Sequence, residues 1–247
     1  MTNNFKTIDE AICEYMDKRG RRTTTERGHN YWAASSLGRC KRYQVMCRAG
    51  IITNGVTNYA WKNAAEDGHM GHAWRQHALQ NVGVLIDMEQ PIIDEELKFR
   101  GHFDLIVDLS GKLVLGDIKT QNSRAFKARS RLPGRIDPHH QRQLAAYFYF
   151  LKRDKYPALD SARLYYVNKN SGEREEYELY FDNALFDDIL NELKILNWHW
   201  DNGILPKKEV SNFCRICQFA PLCRSLLNRK TTKIEYAVQE SLSNTTK

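Results

Sequence analysis

Residues 99–120 read FRGHFDLIVDLSGKLVLGDIKT, and this stretch decides the fold because it predicts a β-hairpin. Ser110-Gly111 is a turn dipeptide between two segments of alternating apolar and polar residues, 99–109 and 112–120. Alternation puts the apolar side chains on one face, and that face must pack against a helix. These apolar residues are Phe103, Leu105, Val107, Leu109, Val114 and Ile118.

The turn also sets which residues face each other across the hairpin. In that register Asp104 lies directly opposite Asp117, and His102 lies opposite Lys119. Like charges paired across strands cost roughly 0.2–1 kcal/mol, and a divalent cation between them removes this repulsion. Oxygen ligands on adjacent strands suit Mg²⁺ or Mn²⁺. The hairpin therefore predicts a metal site with Lys119 beside it.

Hydrophobic periodicity and turn residues predict the elements around the hairpin. The predicted helices cover residues 7–17, 40–49, 71–85, 138–151 and 183–200, and the further strands cover 87–97, 161–168 and 175–181. Residues 121–137 are basic and aperiodic, and we expect them to form a mobile loop beside the core. The middle of the chain has the order αβββαβ, which predicts an α/β fold.

The chain contains no internal repeat and no long linker, so we expect one compact unit made of three regions. Residues 1–66 form an N-terminal, helical and basic region. Residues 67–182 form the α/β core, and residues 183–247 form a C-terminal helix followed by a cysteine-rich region.

Charge favours a polyanionic partner. The 247 residues include 37 Lys and Arg against 30 Asp and Glu, a net charge of +7. Two basic blocks, 18–48 and 119–142, concentrate this excess, and Arg129 and Arg131 in the second block are expected phosphate contacts. On charge alone a solvated surface remains the alternative.

The mean hydropathy of −0.62 comes with no apolar run long enough to cross a bilayer. The N-terminal residues also lack the apolar block of a secretory signal. We therefore expect no membrane association and a location in the cytoplasm, either of a prokaryotic cell or of a phage-infected cell.

Six cysteines in an intracellular chain favour metal binding or plain burial over a disulfide scaffold. Three of them, Cys214, Cys217 and Cys223, lie within ten residues, whereas the other three lie far upstream. Four thiolates suit either a [4Fe-4S] cluster or Zn²⁺, so the spacing alone does not identify the metal.

Three motifs in the core carry a family resemblance. They are Gly101-His102-Phe103-Asp104, Gly116-Asp117-Ile118-Lys119-Thr120 and Gln143-Leu144-Ala145-Ala146-Tyr147. Together they resemble the D…(D/E)XK…QhxxY signature of the PD-(D/E)XK nuclease superfamily, and specifically of its RecB-like branch. Gly68-His69-Met70-Gly71-His72 is similar to that branch's upstream motif. The predicted αβββαβ order also agrees with the restriction-endonuclease-like core of this superfamily.

The resemblance implies the site. His72, Asp104, Asp117 and the main-chain carbonyl of Ile118 would bind the divalent metal, and Lys119 would be the catalytic lysine. Gln143 and Tyr147, one turn apart on a helix, would position the lysine, the nucleophile or a DNA strand. Other histidines at 69, 77, 139 and 140 compete with His72. Glu89 is a candidate for a further acidic group near the site, but we expect it on the surface of a strand.

The cysteine pattern resembles the iron–sulfur clasp of RecB-like nucleases, which include the AddB-type recombination nuclease domain and CRISPR adaptation nucleases with four cysteines. The resemblance implies a [4Fe-4S] cluster on Cys40, Cys214, Cys217 and Cys223. Cys47 is the rival upstream ligand, and Cys13 is expected to be buried in the first helix.

The expected function is that of a Mg²⁺- or Mn²⁺-dependent DNA nuclease, an exonuclease on single-stranded or frayed ends. No GxxxxGK[ST] motif occurs, so a helicase, annealing protein or integrase would be a separate partner. Recombination, repair, CRISPR adaptation and phage DNA metabolism all fit. The alternatives are an endonuclease of restriction or anti-phage type, and a non-catalytic DNA-binding module with a structural iron–sulfur or zinc site.

Overall fold

The computed structural model describes residues 30–51, 59–226 and 232–243, with residues 59–67, 69, 242 and 243 described by their backbone alone. The predicted helix 7–17, and Cys13 within it, lie outside these residues. No helix in the described part of the chain is long and apolar enough to span a membrane.

The described chain contains eight strands and seven α-helices. The strands are β1 (Trp32–Ala33), β2 (Leu85–Met88), β3 (Pro91–Asp94), β4 (Phe99–His102), β5 (Leu105–Leu109), β6 (Lys112–Gln121), β7 (Leu159–Asn168) and β8 (Arg174–Leu179). The helices are α1 (Lys41–Arg48), α2 (Tyr59–Asn81), α3 (Ser123–Arg129), α4 (Pro138–Asp154), α5 (Asn183–Asp201), α6 (Ala220–Ser225) and α7 (Ile234–Ser243).

The strands form two sheets. The larger sheet has five strands in the order β2-β5-β6-β7-β8, with β6 and β7 parallel and the other neighbours antiparallel. The smaller sheet has three strands in the order β1-β4-β3. The structure is thus a mixed α/β fold. In chain order, α2 comes first, then the strands up to β6, then α4 and then β7, and this order contains the predicted αβββαβ arrangement.

The predicted hairpin register is confirmed between β5 and β6, where Leu105 pairs with Gly116 and Leu109 pairs with Lys112. Gly116 leaves space for Leu105 here, since a Cβ at residue 116 would overlap Leu105 Cδ1 unless that side chain moved. However, the ladder between β5 and β6 ends at the pair Leu105–Gly116. Residues 99–109 are not one strand, since β4 belongs to the smaller sheet and β5 to the larger one.

The break changes the partners of the residues that were expected to face each other. Asp104 lies between β4 and β5 and is not paired with Asp117, whose strand neighbour is Leu164. His102 pairs with Pro91 in the smaller sheet and not with Lys119. The predicted cross-strand pairing of the two carboxylates is therefore wrong, because the chain crosses from one sheet to the other at residues 103–104.

A second predicted strand is also divided. The segment 87–97 separates into the end of β2 and all of β3, and Glu89 between them has a φ of +50°. This left-handed backbone conformation turns the chain, so a continuous strand cannot pass through it.

The apolar residues of the hairpin pack in two places. Leu105, Val107, Val114 and Ile118 form one cluster with partly buried side chains that include Leu79 of α2. Phe103, which was expected on the same face, is fully buried in the larger core instead, because it precedes β5 at the crossing.

The larger core draws on all three regions of the sequence. Trp32 and Val45 from the N-terminal region pack with Leu144 and Phe150 of α4, Leu193 of α5 and Ala237 of α7, among other buried residues. Burial of this apolar surface is the main favourable contribution to folding.

The predicted mobile loop at 121–137 is wrong. Residues Ser123–Arg129 form α3, whose first turn is capped by Asn122, since its side-chain oxygen accepts a hydrogen bond from Ala125 N at 2.8 Å. Phe126 anchors this helix in the core. A capped helix with a buried aromatic residue is a fixed part of the fold.

Arg129, at the end of α3, faces inward. Its Nη2 lies 2.5 Å from Glu175 Oε2, and its guanidinium carbon lies 4.0 Å from the centre of the Tyr166 ring. Its side chain is almost fully buried. The expectation that Arg129 contacts phosphates is therefore wrong, whereas Arg131 is exposed.

We expect Arg129→Glu to lower the free energy of unfolding by about 3 kcal/mol or more, because it places a buried negative charge against Glu175. Arg131→Glu is the matched control, and its effect should stay within about 0.5 kcal/mol. Urea denaturation followed by circular dichroism measures both. Equal stability of the two variants would contradict a structural role for Arg129.

Candidate active site

Asp104 occupies the point where the chain crosses between the sheets. Its Oδ2 accepts a hydrogen bond of 2.7 Å from the main-chain N of Ile118, next to Asp117 on β6. Burial raises the pKa of Asp104 well above its usual value, and the negative charge of Asp117 raises it further. A nearby positive charge would restore the ionised form of Asp104.

His72 and Glu89 complete a group of side chains around Asp104. His72 Nδ1 lies 3.4 Å from Asp104 Oδ2. One ligand atom from each of His72, Glu89 and Asp104 lies within 4.8 Å of the others, a spacing found for no other group of three His, Cys, Asp or Glu among the described residues. Two carboxylates and an imidazole are donors that can hold a divalent cation, so these residues fit such an ion.

Close packing of α2 on β6 brings His72 to this place. A Cβ on Gly68 would lie 3.2 Å from Thr120 Oγ1, and a Cβ on Gly71 would lie 3.2 Å from Thr120 Cγ2. The absence of side chains at these two positions lets the helix approach the strand. The two glycines of the upstream motif are thus packing residues that position His72.

Other candidate histidines have different surroundings. His139 Nδ1 lies 2.8 Å from Leu37 O, and His140 Nδ1 lies 3.0 Å from the Tyr166 hydroxyl. Burial and the charge of Lys119 lower the pKa of His140 to about 3. His77 is exposed. None of these three belongs to the group around Asp104.

Sequence reasoning considered Glu89 as a further acidic group near the site but assigned it to the surface of a strand. Glu89 is exposed, but it stands at the turn between β2 and β3 with its carboxylate in the group. The buried Gln76 holds it there, since Gln76 Nε2 donates to Glu89 Oε1 at 2.7 Å and to Asp104 O at 3.0 Å. The spacing of Gln76, one helical turn after His72, was the signal available in the sequence.

Lys119 and Asp117 form a buried ion pair beside this group. Lys119 Nζ donates to Asp117 Oδ1 at 3.0 Å and lies 2.7 Å from Asp117 Oδ2, but this second contact lacks hydrogen-bond geometry. Burial alone would lower the pKa of Lys119, but the charges of Asp117 and Asp104 outweigh burial and raise it. The ammonium group is therefore charged at neutral pH, and Asp117 keeps one buried oxygen without a hydrogen bond.

Gln143 and Tyr147 extend the contacts of Lys119 onto α4. Gln143 Oε1 accepts from Lys119 Nζ at 3.3 Å, and Gln143 Nε2 donates to the Tyr147 hydroxyl at 2.9 Å. Burial raises the pKa of Tyr147, which keeps its hydroxyl neutral. Gly101 makes room for the ring, since a Cβ there would lie 2.3 Å from Tyr147 Cε1.

The structure therefore brings the predicted site residues into two adjoining groups. His72 and Asp104 lie together with Glu89, whereas Asp117 lies with Lys119 and is outside the 4.8 Å group. Ile118 connects the two through its N–H, which binds Asp104.

The four cysteines that were predicted to bind a cluster line a single cavity of about 280 Å³. They are Cys40, Cys214, Cys217 and Cys223, while Cys47 does not line it. Among the described residues, no three thiols lie within 4.8 Å of one another. Arg42 Nη1 lies 3.7 Å from Cys223 Sγ. Burial raises the pKa of the Cys217 thiol, and the charges of the other three raise it further.

Comparisons with known proteins bear on this arrangement. Residues 12–224 match the model of the PD-(D/E)XK nuclease superfamily. The crystal structure of SSO0001 is 20% identical with a TM-score of 0.58, and the match covers 88% of this chain and 98% of that one. The structure of LHK-Exo in complex with dAMP is 15% identical with a TM-score of 0.51, covering 70% and 89%.

A further structure of LHK-Exo, an alkaline exonuclease from Laribacter hongkongensis, is 12% identical with a TM-score of 0.47, covering 70% of this chain and 89% of that one. At these identities the solved structures show a shared fold alone. No curated protein matches the chain.

Replacing Gln76 tests whether the group around Asp104 binds a metal ion. We expect Gln76→Leu to weaken Mn²⁺ binding by about 10-fold to 100-fold, because Glu89 loses the donor that orients it. Gln80→Leu, the same change at an exposed position of α2, should leave the affinity unchanged. Isothermal titration calorimetry on variants shown to be folded by circular dichroism measures both. Equal affinities would exclude Gln76 as a positioning residue for a metal.

Proposed function

Since the chain belongs to the PD-(D/E)XK nuclease superfamily, we propose that it is a divalent-cation-dependent DNA nuclease, an exonuclease that acts on single-stranded or frayed ends. The contact between Lys119 and the buried Asp117, next to the group around Asp104, carries this proposal. The likeness in fold to LHK-Exo, itself named an exonuclease, supports exonuclease action.

His72, Glu89 and Asp104 would hold the cation, with Asp117 beside them. A bound divalent cation lowers the pKa of a water molecule and neutralises charge on the phosphate. Asp104 and Asp117 are both largely buried, and the charge of Asp117 raises the pKa of Asp104. Two buried carboxylates that repel each other favour a bound cation. The buried oxygen of Asp117 without a hydrogen bond also supports a ligand at this place.

Lys119 would stabilise the negative charge that develops on the phosphate in the transition state. Its ammonium group is charged and mostly withdrawn from water, which strengthens its interaction with an anion. Asp117 and Gln143 fix its position, so little reorganisation is needed during the reaction.

Gln143 and Tyr147 would position Lys119 and take no proton. The hydroxyl of Tyr147 accepts a hydrogen bond from Gln143, and burial keeps this hydroxyl neutral. Gln143 has no titratable group. Their role is therefore to fix the direction of the ammonium group.

Replacement of Lys119 tests the activity. We expect Lys119→Ala to lower kcat on end-labelled DNA with Mg²⁺ or Mn²⁺ by at least about 100-fold, the loss typical of one transition-state donor. Lys112→Ala, an exposed lysine at the start of the same strand, is the control and should retain full activity. A kcat for Lys119→Ala within about threefold of the wild type would remove this role.

Substrate topology separates the proposed exonuclease from its alternative. An exonuclease degrades linear DNA from its ends and leaves circular single strands and circular duplexes intact, whereas an endonuclease of restriction or anti-phage type also cuts a circular duplex. Binding of either substrate without cleavage would indicate a DNA-binding module. Such end processing fits recombination, repair, CRISPR adaptation or phage DNA metabolism, with an annealing protein, integrase or helicase as partner.

We also propose that the four cysteines bind a [4Fe-4S] cluster, as in the RecB-like branch. Their position around one cavity supports a common ligand. Around a single zinc ion with Zn–S distances of about 2.3 Å, all four sulfurs would lie about 3.8 Å apart. No three of these thiols lie within 4.8 Å of one another among the described residues, so their spacing differs from that of a single zinc site. Its role would be structural, joining Cys40 to the C-terminal region.

Iron content tests the cluster. Protein purified without oxygen should contain about four irons per chain, the content of one cubane cluster. Cys217→Ser should lose the iron, whereas Cys47→Ser should keep it, because Cys47 does not line the cavity. One zinc and no iron would exclude the cluster, and loss of iron in Cys47→Ser but not in Cys40→Ser would exclude Cys40 as a ligand.

A further inference from the structure

Helix α4 carries a second polar side chain near Lys119, one turn before Gln143. This side chain is His140, and residues three apart lie on the same side of a helix. Gln143 Oε1 accepts a hydrogen bond from Lys119 Nζ at 3.3 Å, so this side of α4 faces β6. The charge of Lys119 in turn lowers the pKa of His140. The imidazole of His140 therefore lies close to the ammonium group of Lys119.

The larger sheet places His140 at the same point. Tyr166 on β7 is the ladder partner of Lys119 on β6. Paired residues on parallel strands point to the same face of a sheet, so the side chains of Tyr166 and Lys119 are neighbours on the face that α4 covers. His140 Nδ1 lies 3.0 Å from the Tyr166 hydroxyl. The helix and the sheet thus agree in placing the imidazole beside Lys119.

The contact with Tyr166 determines which ring nitrogen of His140 carries the hydrogen. Tyr166 is fully buried, and its hydroxyl accepts a hydrogen bond from Asp137 N at 3.3 Å. The hydroxyl proton also needs an acceptor, and in the described part of the chain His140 Nδ1 is the acceptor within reach. Burial raises the pKa of Tyr166 and lowers that of His140, so the hydroxyl keeps its proton and the imidazole is neutral. The ring hydrogen is therefore on Nε2.

The Nε2–H group of His140 is a donor in contact with solvent. The ring is only partly buried, Nε2 makes no hydrogen bond to a described residue, and it is not among the buried polar atoms that lack a partner. Two cations, Lys119 and Arg39, lie near enough to lower the pKa of His140, and one carboxylate, Asp137, opposes them. A donor in these surroundings favours an anion as its partner.

We propose that His140 binds the DNA substrate by donating its Nε2–H to a backbone phosphate oxygen beside Lys119. This inference rests on the proposed function and adds a residue that contacts the substrate. Hydrogen bonds to a charged acceptor are the stronger ones, and Tyr166 already fixes the direction of this donor, so little ordering is needed on binding. The role differs from that of Gln143, which contacts Lys119 and holds it in place.

Nitrogen NMR of the imidazole rings in the full-length protein measures the tautomer of His140. Without DNA we expect the hydrogen on Nε2, with the signals of this ring identified by their absence in His140→Gln. Addition of a single-stranded oligothymidine in EDTA, which prevents cleavage, should shift the Nε2–H resonance and leave the signals of the exposed His77 unchanged. A hydrogen on Nδ1, or an Nε2–H resonance that does not respond to the DNA, would overturn the inference.

Two substitutions separate the roles of the two ring nitrogens. In His140→Asn the amide oxygen can replace Nδ1 and keep the bond with Tyr166, but no donor remains at the position of Nε2. We expect this variant to bind oligothymidine about 10-fold to 100-fold more weakly by fluorescence anisotropy in EDTA, the loss of one hydrogen bond to a charged group. The amide of His140→Gln reaches the position of Nε2, so its affinity should stay within about threefold of the wild type. His77→Asn, on an exposed position of α2, is the matched control and should leave the affinity unchanged.

Equal oligothymidine affinity of His140→Asn and His77→Asn would overturn the inference. Weaker binding that occurs only together with a lower Tm would also overturn it, since His140 would then be a structural residue. With Mg²⁺, His140→Asn should raise KM and leave kcat nearly unchanged, unlike Lys119→Ala, which lowers kcat. A wild type that binds oligothymidine through His140 but cleaves no DNA would refute the nuclease and keep the phosphate contact, whereas cleavage with unchanged KM in His140→Asn would do the reverse.

Discussion

One hydrogen bond organises the candidate site, namely that between the main-chain N of Ile118 and the carboxylate of Asp104. It forms where the chain leaves the smaller sheet and enters the larger one, so it fixes the crossing and the carboxylate together. Because Ile118 lies between Asp117 and Lys119, the same bond places the ion pair of β6 beside Asp104. Asp117 and Lys119 stand on a strand, which holds them more precisely than a loop would.

Glycines leave space for the side chains in and around the candidate site. Gly101 accommodates the ring of Tyr147, Gly116 accommodates Leu105, and Gly71 lets α2 approach Thr120. Each is found in one of the motifs that also contain the chemical residues. The motif spacing therefore encodes packing as well as chemistry, since larger residues at these positions would push the side chains of the candidate site apart.

The sequence predicted what depends on local rules. The register between β5 and β6 follows from a two-residue turn, and α4 follows from its periodicity and from Pro138 at its start. It missed what depends on contacts between distant segments. The crossing at Asp104, the turn at Glu89 and the burial of Arg129 against Glu175 are all set by neighbours far away in the chain, so periodicity gives no indication of them.

The parallel pairing of β6 and β7 has a consequence for the order of assembly. Antiparallel β5 and β6 can join through their own turn, but parallel strands need a long crossover, here through α3 and α4. Closing such a connection before any ladder bond forms is slow. During synthesis on the ribosome, the segment from His72 to Lys119 is complete before α4 emerges. The proposed cation ligands are therefore expected to meet first, and Lys119 gains its contact with Gln143 only when the crossover closes.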